Sequence, residues 1–238
     1  DGEAKFFHQT DLQLLDATGS KGGLQEIQGT GIINYKQLSD VKDYKNLADA
    51  QTITKESEQI WARDGGKLGY VQAQHNYSNI NGYLRGNIKT LTPDNQKTVA
   101  TLDKLTTSNS LPDNYIGIRK VKGGYLSDVL GLNNYKDYSQ PNAKFTADAI
   151  KSMTGQEIED KAFTSISLLE NKNYFKDYPI KFTIKMPKGT QGLVTNNIAE
   201  SEFIAARGSK LRILDVEIYK PTVKSKNTFI NIIVKLVQ

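Results

Sequence analysis

Residues 193–206 read Leu193-Val194-Thr195-Asn196-Asn197-Ile198-Ala199-Glu200-Ser201-Glu202-Phe203-Ile204-Ala205-Ala206. An apolar pair leads in, a polar turn follows, and an apolar run leads out to Arg207-Gly208. This is the pattern of strand, loop and strand, with the loop delivering two acids to the start of the second strand. In extended backbone, residues two apart point to the same face, so Glu200 and Glu202 stand side by side. Two carboxylates that close raise the pKa of one of them and ready the pair for different roles. Taken alone, the pair reads first as two solvated surface glutamates, since acidic pairs are common.

Strand periodicity runs through the second half of the chain. Short strands are expected at Tyr115–Val121, Ala162–Ser167, Ile180–Met186, Gly192–Thr195, Glu202–Ala206, Leu211–Tyr219 and Thr228–Val237. Phe182, Ile184 and Met186 alternate with polar residues, and so do Leu211 and Ile213 and, after a slip at Leu214-Asp215, Val216 and Ile218. The first half reads as helices. Thr54 caps a segment holding Ile60 and Trp61, and a second helix covers Leu68 to Ile80. Thr92-Pro93-Asp94 starts a third, with Val99, Leu102 and Leu105 at helical spacing. A last helix is expected from Thr146 through Lys161, weakened by Gly155. Helices first and strands later mean an α+β fold rather than alternating βαβ units.

Composition narrows the chemistry. The chain has 238 residues with 37% hydrophobic and 24% charged, and no cysteine. Disulfides, thiolate metal sites and a cysteine nucleophile are therefore excluded. With only two histidines, His8 and His75, a Ser-His-Asp triad or a His-rich metal site is disfavoured, and no metal is expected. No stretch approaches the ~20 apolar residues that span a bilayer. The net charge of +5 is too mild and too dispersed to indicate nucleic-acid binding. Starting at Asp1 without a basic, apolar leader, the chain reads as a mature or trimmed form, which leaves room for a signal peptide already removed.

Three further features complement Glu200 and Glu202. In Phe163-Thr164-Ser165-Ile166-Ser167, alternation puts Ser165 and Ser167 on one strand face, where hydroxyls orient a carboxylate or a sugar, or are simply solvated. Arg119 lies within the Tyr115–Val121 strand, where an arginine needs an anionic partner: a ligand phosphate or a structural carboxylate. Asn79-Ile80-Asn81-Gly82-Tyr83-Leu84-Arg85 holds an Asn-Gly turn signal followed by an arginine.

In this order, Asn-Gly-x-Leu-Arg, strand Arg, Ser-x-Ser and Glu-x-Glu resemble the bacterial mono-ADP-ribosyltransferase toxins. The resemblance is to the arginine-specific Glu-x-Glu group of their Arg/Ser-Thr-Ser/Glu branch, and it covers roughly residues 45–238. It implies a two-sheet β-sandwich core with a central NAD cleft, flanked by N-terminal helices. Residues 46–238 would be the catalytic domain and residues 1–45 an extension of unknown role. It also implies transfer of ADP-ribose from NAD to arginine side chains of a host protein, with release of nicotinamide, by a secreted monomer acting in the host cytosol.

The resemblance carries roles to matching positions. Glu202 would stabilise the oxocarbenium-like transition state, Glu200 would engage the target guanidinium, and Ser165 would position Glu202. Arg119 and Arg85 would grip the NAD pyrophosphate, with Ser167 and Asn81 beside them and Phe175 stacking on nicotinamide. Three departures stand out. Ile166 replaces the middle threonine of Ser-Thr-Ser, and its side chain should face away from the site. Tyr178 stands where a loop arginine is common, with Lys176 as a substitute. The turn before Glu200 lacks the aromatic that related toxins use on protein targets. Two other readings stay open: an NAD glycohydrolase, and a non-enzymatic basic binding module.

Overall fold

In a computed structural model of the chain, residues 24–26, 32–34, 76–132, 143–168, 175, 177–195, 202–219 and 229–238 are described. Strands β1 (Leu24–Glu26) and β2 (Ile32–Asn34) pair antiparallel as a separate two-stranded ladder. The helices are α1 (Asn76–Leu84), α2 (Pro93–Ser108), α3 (Gly124–Asp128) and α4 (Ala143–Lys151). The remaining strands are β3 (Tyr115–Val121), β4 (Glu157–Glu159), β5 (Thr164–Ser167), β6 (Ile180–Met186), β7 (Gly192–Val194), β8 (Glu202–Ala205), β9 (Lys210–Tyr219) and β10 (Phe229–Val237).

These eight strands form one mixed ladder in the order β4-β9-β10-β6-β3-β5-β8-β7. Strand β6 is buried along its whole length, as expected of a central strand covered on both faces. Its Ile180, Phe182, Ile184 and Met186 enter the main core. It pairs parallel with β10 and antiparallel with β3, and the other neighbours pair antiparallel. The slip read at Leu214 is a β-bulge: Ile213 faces Val234 and Asp215 faces Ile233, leaving Leu214 without an opposite residue.

Where two packed sheets are expected, the eight strands form one continuous sheet. Hydrogen bonding is continuous, but β3 and β5 share a single register pair, Ile118 with Ser167, against the full length of β3 on β6. The strands on either side of that seam nonetheless fill one core. Ile166, Val194, Phe203 and Ala205 from β5, β7 and β8 cluster with residues of β6, β9 and β10. Fully burying each large side chain there contributes about 1.5–3 kcal/mol. Gly117 permits the seam, since a Cβ there would collide with Ile166 Cγ2 and come within 2.9 Å of Met186 Cε.

Helices α1 and α2 make a second, smaller core, in which Ile80, Leu102 and Leu105 meet Phe163, Leu193 and Ile204. Strands β7 and β8 are thus apolar on both faces. Thr92 caps α2 as read from sequence, its Oγ1 accepting from Asn95 N at 3.2 Å, with Pro93 in the first turn.

Two helix boundaries differ from expectation. Asn81-Gly82 is not a turn but lies inside α1, whose burial of Ile80 and Asn81 overrides the local signal; the chain reverses later, at Gly86, with φ +86. Helix α4 ends at Lys151 rather than Lys161, because Gly155 adopts φ +87 and the following residues pair as β4 with β9. The helix expected around Ile60 and Trp61 lies outside the described residues. No described helix is long and apolar enough to cross a membrane.

Candidate active site

Glu202 opens β8, and its carboxylate is buried, with the residue only 5% exposed. On one side Ser165 Oγ of β5 donates to Glu202 Oε1 at 2.5 Å. On the other, Thr195 Oγ1, just past β7, donates to Oε2 at 2.9 Å. Desolvation pushes the Glu202 pKa above its ordinary value, while these two hydroxyls and the charge of Arg119 pull the other way without cancelling it. Ionising this group at neutral pH therefore costs free energy that a passing positive charge would recover.

Ser165 and Ser167 share the half-exposed face of β5, and Ile166 points into the core on the opposite face, as alternation requires. Ser167 is the backbone partner of Glu202 in the β5–β8 register. Arg119 of β3 reaches across the seam, its Nη1 donating to the Ser165 carbonyl oxygen at 2.7 Å. Its buried Nε has no hydrogen-bond partner among the described residues. A buried guanidinium nitrogen in that condition fits an anionic ligand.

Behind Arg119 lies a second cluster. The Tyr125 ring of α3 packs edge-on against Phe182, with the Arg119 guanidinium 5.1 Å and the Arg85 guanidinium 5.6 Å from its centroid. The Tyr125 hydroxyl donates to Asp160 Oδ2 at 2.9 Å, and burial first, then Asp160, pushes its pKa upward. Asp160 also accepts from Arg85 Nε at 3.0 Å, Arg85 Nη2 at 2.8 Å and the Ala162 backbone N–H at 3.0 Å. Burial opposes its ionisation, but those bonds and the two arginines hold its pKa below the ordinary value.

The structure thus joins Glu202, Ser165, Arg119 and Arg85 in one network, with Arg85 committed to Asp160 along one edge. Asn81 is buried in α1, one turn before Arg85. Phe175 is 42% exposed, with φ +52 and its ring against Tyr178 at 4.9 Å. Glu200 and Lys176 lie outside the described residues. Three members, Thr195, Tyr125 and Asp160, were not singled out from the sequence. Only Thr195 had a signal, since pairing Val194 with Phe203 puts the next residue opposite Glu202. Among the described residues no cluster of His, Cys, Asp or Glu could hold a metal ion.

The mixed sheet thus gathers a buried glutamate, a serine that holds it and two arginines on an aromatic hub. The pattern of the ADP-ribosyltransferase exoenzyme family matches residues 37–237, and the chain belongs to that family. No curated protein sequence matches the chain.

Solved structures share the fold. The C3 exoenzyme of Clostridium limosum superposes with a TM-score of 0.63 at 22% identity, over 83% of this chain and 97% of that one. C3stau2 from S. aureus, solved with NAD, gives 0.62 at 19%, over 83% and 98%. The ADP-ribosylating toxin BECa of a binary enterotoxin of C. perfringens, solved with NADH, gives 0.62 at 18%, covering 79% of this chain and 48% of BECa. This chain therefore spans about half the length of BECa.

Proposed function

We propose that this protein is a mono-ADP-ribosyltransferase that moves ADP-ribose from NAD to arginine side chains of a host protein and releases nicotinamide. Its family membership supports NAD as co-substrate. The observation that carries the reading is the buried Glu202 carboxylate, held by Ser165 and Thr195 beside Arg119. NAD supplies a positively charged leaving group, whose bond to the ribose anomeric carbon breaks with both electrons going to nicotinamide. Glu202 stabilises the positive charge that develops on the ribose and accepts a hydrogen bond from a ribose hydroxyl. Arg119 and the open Nη1 edge of Arg85 bind the pyrophosphate, with Ser167 and Asn81 beside it, and Phe175 covers the nicotinamide.

Glu200 confers the arginine preference. Its carboxylate pairs with the acceptor guanidinium and takes the proton released when a guanidine nitrogen bonds the anomeric carbon. Residues 46–238 form the catalytic domain in this reading, and the protein is exported and works as a monomer inside the host cell.

The test follows nicotinamide release and labelling of an arginine mimic in parallel. Glu202→Gln should lower both by about 10²–10³-fold, as for loss of an electrostatic catalytic group. Glu200→Gln should lose arginine labelling while NAD cleavage to water persists. Arginine labelling that survives Glu200→Gln overturns the arginine assignment. NAD cleavage by the parent with no labelling at all makes the protein an NAD glycohydrolase instead.

A further inference from the structure

Ser165 accounts for one oxygen of Glu202. The other is held by a residue to which the Glu-x-Glu pattern assigns nothing. Thr195 is 2% exposed and directly follows the last residue of β7. Its backbone N–H donates to the Glu202 carbonyl oxygen at 2.9 Å, and its Oγ1 donates to Glu202 Oε2 at 2.9 Å. One residue pair therefore closes the base of segment 196–201, which carries Glu200, through both main chain and side chain.

We propose that Thr195 is a positioning residue that holds Glu202 Oε2 from the loop side while Ser165 holds Oε1 from the sheet side. This rests on the transferase reading of Glu202 given above. The terminal torsion of a glutamate is broad, so one donor leaves the carboxylate plane free to swing. Two donors on opposite oxygens fix that plane and still leave a lone pair on each oxygen for a substrate hydroxyl. A β-branched threonine suits the task because its own χ1 is restricted. Hydroxyl donation also favours the ionised carboxylate. The groups acting on Glu202 are Ser165 from β5, Thr195 from the end of β7 and Arg119 from β3, and Arg119 is the charged one among the described residues.

The experiment compares Thr195→Val, Thr195→Ala and Thr195→Ser with the parent, reading kcat and KM for NAD cleavage across pH. Thr195→Val keeps the shape and removes the donor. It should lower kcat by roughly 10- to 100-fold, the weight of a hydrogen bond to a charged group, with KM for NAD unchanged. The acid limb of its pH profile should move to higher pH. Thr195→Ser should restore both, and Thr195→Ala should repeat the valine result, serving in its place if the valine variant does not fold. Parental kcat and acid limb in Thr195→Val overturn the proposal. A lowered kcat with an unmoved acid limb, or serine as impaired as valine, overturns it too by assigning Thr195 to packing. Glu202→Gln separates the two levels. If that variant keeps full NAD cleavage, the transferase reading of Glu202 fails; if it is inactive while Thr195→Val is parental, only the role of Thr195 fails.

Discussion

Arg85 clasps Asp160 with two hydrogen bonds, 3.0 Å from Nε and 2.8 Å from Nη2, across 75 residues of sequence. The Asp160 side chain is fully buried, and that of Arg85 is 16% exposed. Burial works against the Arg85 charge, and the bond and charge of Asp160 outweigh it, so the guanidinium is held firmly protonated. The pair fixes one edge of the guanidinium and thereby aims the remaining Nη1. A positioned arginine of this kind recognises phosphate in a way a lysine cannot copy.

Arg85→Ala should therefore damage the fold as well as NAD binding. It strands a buried carboxylate, which costs about 3–5 kcal/mol when one partner of a buried pair is removed. Urea unfolding should show that loss, and Arg85→Ala with Asp160→Ala should lose less than the two single losses added. The pH dependence has a definite sign. The folded Asp160 pKa lies below its ordinary value of 3.8, so its contribution is present above that value and fades as pH falls through the lower folded one. Acid unfolding of the parent should be steepest there, and the double variant should lack that component.

Glu202 behaves in the opposite sense. Its folded pKa is raised above the ordinary 4.5, chiefly by desolvation. Its contribution is full below the unfolded value and is lost as pH rises through the folded one, so at neutral pH the ionised group strains the fold. Glu202→Gln should raise the melting temperature at pH 7 while removing activity. The gain should vanish in melts run below about pH 4, where the parent glutamate is also neutral. A destabilised Glu202→Gln protein at pH 7 would contradict the buried, desolvated placement.

The same contrast separates what was legible in the sequence from what was not. Strand β6 could be read directly, because Ile180, Phe182, Ile184 and Met186 alternate with Lys181, Thr183 and Lys185. The Leu214 bulge was visible as a break in that alternation. Ser165 and Glu202 were legible because their strands set their faces. Asp160 and Tyr125 were not, since one more charged residue in the run Glu157-Ile158-Glu159-Asp160-Lys161 carries no periodicity. What makes Asp160 important is Arg85, and that contact exists only after the chain has folded. Asn81-Gly82 misled for a related reason: a strong local turn signal lost to the burial of Ile80 and Asn81 on the helix face.

The helix start at Thr92 offers a smaller, cleaner test. Its hydroxyl accepts from Asn95 N at 3.2 Å, and Thr92 is given no role in the proposed site. Thr92→Ala should cost about 1 kcal/mol of stability in urea unfolding. NAD cleavage should be unchanged, which makes this variant a measure of how far stability loss alone affects the assay.

The seam at Gly117 ties stability to catalysis. Strands β3 and β5 touch through one register pair, and Gly117 is where the β3 backbone must leave room for Ile166. A methyl group there meets Ile166 Cγ2 at a distance real side chains do not tolerate, and Met186 Cε sits at 2.9 Å on the other side. Both neighbours lie in the packed core, so they cannot simply swing aside. Gly117→Ala should thus cost about 1–3 kcal/mol, as overpacked cores do. The displacement falls on β5, and β5 carries Ser165, which holds both Glu202 and the Arg119 guanidinium. Its kcat for NAD cleavage should fall even though every proposed site residue is intact. Gly124→Ala is the matched control. Nothing lies within 4 Å of a Cβ at Gly124, which sits in the first turn of α3. Alanine in a helix is favoured over glycine by roughly 0.5–1 kcal/mol, so this variant should be as stable as the parent or slightly more so. A Gly117→Ala protein with parental stability and parental kcat would show that β5 does not bear on β3 at Gly117.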